Sequence, residues 1–209
     1  MTTAVEIVLF DGWDELDALA PFEVLRQAER RGAPLSCRLV TLGEVREVEG
    51  ANGLRVRAAA PLGRPGWLVV PGGGWNGRAE RGAWGEVQRG HLPRAVGEAH
   101  ARGAGVASVC TGALIVAATG LLRGRPAVTH RSALGDLARA GAEVVEARMV
   151  DDGDLVTAGG VTSGLDLGLR LLDRLAGPAA AAEVAAEMEI VRGPVHLGPR
   201  AGAAAPPAP

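Results

Sequence analysis

The chain has 209 residues, 47% of them hydrophobic, enough to bury one substantial core and too few for two ordinary domains. Its formal net charge of −2 provides no basic surface for nucleic acid or an anionic membrane, so we expect a small molecule or another protein chain as partner. The sequence contains no lysine and no tyrosine, which excludes Schiff-base, Walker-A and tyrosine–lysine dehydrogenase chemistry.

The N-terminal residues have the pattern of a strand and not that of a targeting signal. They lack a basic start followed by a long apolar stretch, and no window of the chain reaches the ~18 apolar residues of a membrane span. These features predict a cytoplasmic protein. The two cysteines, Cys37 and Cys110, are expected to be reduced, because two thiols make no disulfide framework in a chain of this size.

Apolar strand patterns alternate with helical patterns along the chain, as in an α/β domain with a mostly parallel sheet covered on both faces. Pro21 is expected to bend or interrupt the first helix. The predicted strands are Val5–Phe10, Leu35–Leu42, Trp67–Val70, Gly105–Val109, Ala127–Thr129 and Leu155–Thr157. The predicted helices are Asp14–Arg31, Ala79–Arg102, Thr111–Leu122, Arg131–Ala140, Ser163–Leu175 and Pro178–Ile190.

Two stretches break this alternation. Between residues 43 and 66, short charged runs, an Asn-Gly pair and two prolines predict a hairpin or an irregular excursion. Residues 193–209 are rich in glycine, alanine and proline and are expected to be a disordered tail. Residues 1–192 would then form a single domain.

Cys110 is the strongest candidate for a functional residue. It lies between the strand Gly105–Val109 and a helical run from Ala113 to Leu122, and Gly112 permits a sharp turn between them. At the start of a helix, free backbone N–H groups favour a thiolate and can bind an oxyanion. The pattern therefore predicts a nucleophile, the alternative being a buried cysteine that packs as a small hydrophobic residue.

Two further features follow strand ends, where ligands bind in doubly wound sheets. Gly72 and Gly73 come after Trp67–Val70 and could donate N–H groups to developing negative charge, or form a plain turn. Asp17 follows the first strand among apolar residues, where a carboxyl group keeps its proton and suits a general acid. The alternative for Asp17 is a helix N-terminal charge. The expected arrangement is one proton shared between Asp17 and Cys110.

His130 and Thr111 complete the predicted site. Thr111 would direct its N–H and hydroxyl groups into the cleft, and His130 ends a strand and is expected to be a pocket residue. Asp166 is a candidate partner for His130. No metal site is expected, because the four histidines are scattered and no two have the spacing of a helical metal site.

In this order, the motifs resemble the DJ-1/PfpI superfamily over about residues 4 to 190, and most closely its isonitrile hydratase branch. The resemblance implies a flavodoxin-like fold with a nucleophile elbow, a homodimer and no cofactor. It implies functional roles for Asp17, Cys110 and Thr111. The matching segments are Leu16-Asp17 through Pro21, Pro71-Gly72-Gly73, Ser108 through Gly112, Leu121 through Gly124, Thr129-His130 and Gly159 through Asp166.

The activity that the resemblance implies is hydration of an isonitrile to an N-substituted formamide, through a Cys110 thioimidate with Asp17 as acid and base. Thr111 stands where the protease-like branch has a histidine, so peptidase activity is not expected. Arg131 and Ala20 replace a usual tryptophan and glycine, which could reshape the pocket. The alternatives are a related enzyme acting on a glyoxal-type aldehyde or biosynthetic intermediate, and a non-catalytic ligand or redox sensor with an exposed, acidic Cys110 thiol.

Overall fold

Eight strands form the central sheet of the computed structural model, which describes residues 2–201. The twelve strands of residues 2–201 are β1 (Thr3–Leu9), β2 (Leu35–Thr41), β3 (Glu47–Glu49), β4 (Arg55–Arg57), β5 (Ala60–Pro61), β6 (Trp67–Val70), β7 (Gly105–Val109), β8 (Pro126–Ala127), β9 (Glu143–Val144), β10 (Met149–Asp151), β11 (Leu155–Ala158) and β12 (His196–Leu197). Four of them lie outside the central sheet, because β3 pairs with β4 and β8 with β9 in two separate two-stranded sheets. The order in the central sheet is β12-β10-β11-β7-β6-β1-β2-β5, and of its neighbouring pairs only β10 and β11 are antiparallel.

The helices cover a sheet whose middle strands, β6 and β7, are buried along their whole length. The helices are α1 (Glu15–Arg30), α2 (Ala83–Arg89), α3 (His91–Ala101), α4 (Gly112–Ala117), α5 (Leu134–Arg139), α6 (Ser163–Ala176) and α7 (Pro178–Glu187), with a 3₁₀ turn at Arg131–Ala133. One group of packed helices is α1, α6 and α7, and a second is α2, α3 and α4. The predicted α/β class with a mostly parallel sheet is confirmed.

Most predicted elements are present with shifted ends. The predicted helix over 79–102 is two helices, because Gly90 adopts a left-handed conformation with φ of 74° between α2 and α3. The predicted helix over 111–122 ends at Ala117, and that over 131–140 begins with the 3₁₀ turn. The helix α1 continues through Pro21 instead of stopping there. The strand β10 was not predicted from the sequence, because its three buried residues are too few to show a period.

The two irregular stretches have different outcomes. The segment after β2 contains the antiparallel hairpin β3–β4, as predicted. The prediction of a disordered tail is wrong for residues 193–201, because β12 pairs with β10 and Arg200 binds the Asp152 carboxylate. Composition did not reveal these two anchors. Residues 202–209 lie outside the described part of the chain.

Within residues 2–201, no helix has the combination of length and apolar character needed to cross a membrane.

Candidate active site

Cys110 occupies a strained turn at the carboxyl end of β7. Its φ is 55°, a left-handed conformation that side chains other than glycine rarely adopt and that costs about 1 kcal/mol or more. Hydrogen bonds hold the turn on both sides. Cys110 N–H donates to the carbonyl oxygens of Ala158 (3.0 Å) and Gly159 (2.8 Å), and its own carbonyl accepts from Thr129 Oγ1 at 2.8 Å. The predicted elbow is therefore present.

Gly112 makes the elbow possible by allowing α4 to start against the neighbouring strand. A Cβ atom at this position would lie 2.2 Å from the carbonyl oxygen of Val70 and 2.7 Å from that of Pro71. No side chain fits there, so Gly112 contributes close packing rather than unusual backbone angles.

Asp17 lies in the first turn of α1 and is fully buried. Its Oδ2 accepts a hydrogen bond of 2.9 Å from Gly72 N–H, whereas Oδ1 makes no well-formed hydrogen bond within residues 2–201. Burial raises the pKa of Asp17 to about 8, the negative charge of Asp14 adds to this rise, and Gly72 N–H and the Cys110 thiol oppose it. Asp17 therefore carries a proton at neutral pH.

The Cys110 thiol shares this buried environment, with 6% of the residue exposed. Burial raises the pKa of Cys110 far above its usual range, and the charge of Asp17 raises it further, although Thr111 N–H favours the thiolate. The expectation of an exposed, acidic thiol is wrong, because one N–H group at a six-residue helix does not offset burial. Both pKa values are raised, which favours a protonated carboxyl group beside a protonated thiol at neutral pH and counts against the expected single shared proton.

The glycine loop after β6 positions the other site residues. Gly72 N–H binds Asp17 and Gly73 N–H donates to Thr111 Oγ1 at 2.9 Å, so both groups have partners within the protein. A Cβ atom at Gly72 would lie 2.5 Å from Thr111 Oγ1, and Gly73 has a φ of 121°. The close approach explains the need for glycine, while donation to a substrate remains a prediction for both residues.

Thr111 is buried next to the thiol. Its hydroxyl oxygen accepts from Gly73 N–H, which leaves the hydroxyl proton available for another acceptor. Its backbone N–H acts on the sulfur of Cys110. Both groups of Thr111 thus take part in the site.

His130 lines a cleft beside the elbow but does not pair with Asp166. Its Nδ1 lies 2.6 Å from Ser132 Oγ, while Asp166 binds Arg148 Nε (2.6 Å) and Gly193 N–H (2.6 Å). The hypothesis of a His130–Asp166 pair is wrong, because the guanidinium of Arg148 is the stronger partner for that carboxylate. Ser132 was not predicted from the sequence, because no motif includes it.

The cleft has a volume of about 800 Å³ and adjoins the elbow, since Thr129 and Gly159, which hold the backbone of Cys110, form part of its wall. Arg131 lines it, in agreement with the expectation that this residue shapes a pocket. Ala20, a residue of α1, does not line the cleft, because it packs against Gly164 of α6. The cleft is lined by Val128, Thr129, His130, Arg131, Leu134, Glu146, Ala147, Arg148, Gly159, Gly160, Val161, Thr162, Ser163 and Pro194.

The elbow, the buried acid and the adjoining cleft together suit covalent chemistry at sulfur with proton transfer by a carboxyl group. Among the described residues, no group of three or more His, Cys, Asp or Glu side chains is arranged to hold a metal ion.

Comparison with known proteins gives three kinds of match. The DJ-1/PfpI family pattern matches residues 3–174. The isonitrile hydratase of Pseudomonas putida is 43% identical over 89 residues, which are 43% of this chain and only 39% of that protein. An uncharacterized protein in the cpoL 5′ region of Streptomyces lividans is 36% identical over 138 residues, 65% of this chain and 92% of that one. The crystal structure of a ThiJ/PfpI family protein from Pseudomonas syringae superposes with a TM-score of 0.79 at 26% identity, covering 93% of this chain and 77% of that chain.

Proposed function

Because this chain belongs to the DJ-1/PfpI family, we propose that it is a cofactor-independent cysteine enzyme that hydrates an isonitrile to an N-substituted formamide. The partial similarity to the Pseudomonas putida isonitrile hydratase supports this substrate class. The observation that carries the proposal is the buried, protonated carboxyl group of Asp17 next to the Cys110 thiol on a strained elbow. The reaction needs a nucleophile and a proton at one carbon atom, and this pair provides both.

In the first step, two bonds form at the terminal carbon of the isonitrile. Asp17 donates its proton to that carbon while the sulfur of Cys110 bonds to it. The thiol proton passes to the Asp17 carboxylate, so the product is a neutral thioimidate, R–N=CH–S–, and Asp17 is protonated again. A carboxyl group with a pKa of about 8 is suited to both transfers near neutral pH.

In the second step, water converts the thioimidate into the formamide. Asp17 protonates the nitrogen, water adds to the carbon, and the proton lost by water returns to Asp17. The adduct R–NH–CH(OH)–S– then loses its hydroxyl proton to Asp17, which protonates the departing sulfur. The products are R–NH–CHO, the Cys110 thiol and the protonated Asp17, and water is the only co-reactant.

The other site residues hold the reacting groups in place. Gly72 orients Asp17, and Gly73 N–H occupies the Thr111 hydroxyl oxygen, which leaves the hydroxyl proton for a hydrogen bond to the adduct. Loss of one hydrogen-bond donor to the negative charge that develops in a transition state typically costs ~10²–10³ in rate. His130 lies in the wall of the cleft, where it contacts the remainder of the substrate.

Formamide production from a panel of alkyl and aryl isonitriles tests the proposal. We expect hydration by the purified wild type and its loss in Cys110→Ala and Asp17→Asn. Cys37→Ala is the matched control, because Cys37 is also a buried thiol but lies in β2. Substantial hydration by Cys110→Ala would contradict the covalent mechanism.

Two further assays, with aldehydes and with peroxide, separate the alternatives. Turnover of a glyoxal-type aldehyde, with no hydration of isonitriles, would favour the related enzyme that uses the same thiol and acid. Rapid oxidation of Cys110 by peroxide without turnover would favour a redox sensor. The burial and raised pKa of Cys110 weigh against the sensor, because oxidation starts from an accessible thiolate. A homodimer in the cytoplasm remains part of the proposal, with light scattering as the test of its size.

A further inference from the structure

A chain of hydrogen bonds reaches His130 from the loop that holds the active site. Asn76 Nδ2 lies 2.7 Å from Ser132 Oγ, which in turn lies 2.6 Å from His130 Nδ1. Ser132 N–H also donates to His130 Nδ1, at 3.3 Å. None of these contacts was expected from the sequence.

The donor and the acceptor of each of these hydrogen bonds follow from the atoms involved. The amide nitrogen of Asn76 can only donate, so Ser132 Oγ accepts from it. The single hydroxyl proton of Ser132 is then directed to His130 Nδ1, which also accepts the Ser132 backbone N–H. Because Nδ1 accepts twice, the neutral imidazole carries its proton on Nε2.

A second hydrogen bond fastens the same two segments. Trp75 Nε1 donates to Asp136 Oδ2 at 2.7 Å, beside the contact between Asn76 and Ser132. Residues 72–76 thus bind Asp17 and Thr111 at one end and the segment 130–136 at the other. One loop therefore sets the positions of the reacting groups and of His130.

The Nε2 atom of His130 makes no hydrogen bond within residues 2–201, and the imidazole ring forms part of the cleft wall. We propose that Asn76 and Ser132 are positioning residues that hold His130 as an Nε2–H donor to an acceptor atom of the bound ligand. The acceptor class is a carbonyl or formyl oxygen, and naming the formyl oxygen of a formamide rests on the proposed function. Neither Asn76 nor Ser132 contacts the reacting atoms in this scheme.

The tautomer of His130 can be measured by ¹⁵N NMR of the imidazole at alkaline pH, where a histidine ring is ordinarily neutral. We expect the Nε2–H form in the wild type. Asn76→Asp replaces the donor with an acceptor of the same shape, so Ser132 turns to it and the population shifts toward Nδ1–H. Ser36→Ala, an exposed serine of β2, is the matched control for Ser132→Ala. An Nδ1–H ring in the wild type, or no shift in Asn76→Asp, would overturn the positioning role.

Binding of N-cyclohexylformamide measures the contact with a ligand. We expect about 5–10-fold weaker binding in Asn76→Asp and Ser132→Ala, unchanged binding in Ser36→Ala, and recovery in Ser132→Thr, which keeps the hydroxyl group. Equal affinities would overturn the ligand contact. Failure of the wild type to bind the formamide would contradict both that contact and the proposed product, while the NMR result would still decide the positioning role on its own.

Discussion

Two buried aspartates at opposite ends of the sheet have opposite properties. Asp17, beyond the carboxyl ends of the strands, is fully buried and forms no ion pair within the described part of the chain, and its pKa is raised to about 8. Asp152, in the turn between β10 and β11, is 1% exposed but binds Arg125 at 2.6 Å and Arg200 at 3.0 Å. Its pKa is lowered by the hydrogen bonds from Arg200 and Arg125, which outweigh desolvation.

The charge of a buried carboxyl group therefore depends on its partners and not on burial alone. Around Asp152 the ion pairs attach β12 and the chain after it to the sheet. Among residues 2–201, the hydrogen-bond donors to Asp17 are the Gly72 N–H and the weak Cys110 thiol, neither of which carries a positive charge, so the carboxyl group keeps a proton that is available for chemistry.

We expect the greatest loss of stability when the buried cation that binds Asp152 is removed. Arg125 is 12% exposed and binds both Asp152 and Asp154. Among the described residues, Arg125→Met leaves the buried Asp152 with only the half-exposed Arg200 and Asp154 with only His100, so we expect a loss of about 2–3 kcal/mol, below the ~3–5 kcal/mol of a buried charge left with no partner. Urea unfolding measures it. Arg94→Met, which removes only a weak exposed pair with Glu98, is the control and should change the free energy of unfolding by less than about 0.5 kcal/mol. A loss below about 1 kcal/mol for Arg125→Met would contradict the comparison.

The second prediction concerns Asp17 and pH. Its raised native pKa means that the native state binds more protons than the unfolded state between about pH 4 and pH 8, so this group lowers stability as pH rises through that window. The free energy of unfolding of Asp17→Asn, relative to wild type, should therefore increase by roughly 1.4 kcal/mol per pH unit there. Urea titrations of both proteins at pH 5 and pH 7 measure this difference. If the difference in the free energy of unfolding between Asp17→Asn and the wild type is the same at pH 5 and at pH 7, Asp17 is ionised in the native state at both pH values.

The third prediction is that the rate of isonitrile hydration depends on the protonation of Asp17. Because Asp17 must be protonated to start the proposed reaction, kcat/KM falls as pH rises through about 8, by roughly tenfold per unit beyond it. A pH–rate profile of formamide formation provides the measurement. A rate that instead rises through pH 8 would indicate that the ionised pair is the reactive form.

We expect a smaller loss of stability when the exposed cation that binds Asp152 is removed. The Arg200 side chain is about half exposed, and Arg200→Ala removes one of the two cations on Asp152 while Arg125 remains. We expect a loss of about 0.5–1 kcal/mol in the free energy of unfolding, reduced by added salt. A loss as large as that of Arg125→Met would mean that the two cations act as one unit.

The parts of the site that depend on a local sequence pattern were predictable. The strand before Cys110 and the glycine after it are visible in the sequence, and the elbow follows from them. The network around Asp152 was not predictable, because its members are separated by 27 and 48 positions along the chain. The same reason applies to Ser132 and Asn76, which are 56 positions apart and whose contact depends on how two loops pack.

The alternation of strands and helices is visible in the order of residues, and so are the residues that end near one edge of the sheet, because both follow from local periodicity and turn chemistry. The tertiary structure sets the protonation of Asp17 and Cys110, since desolvation depends on every element packed around them. It also decided that Gly72 and Gly73 donate within the protein and that Asp166 binds Arg148 rather than His130. Hydrogen-bond partners and local dielectric are properties of the packed molecule and have no signature in the order of residues.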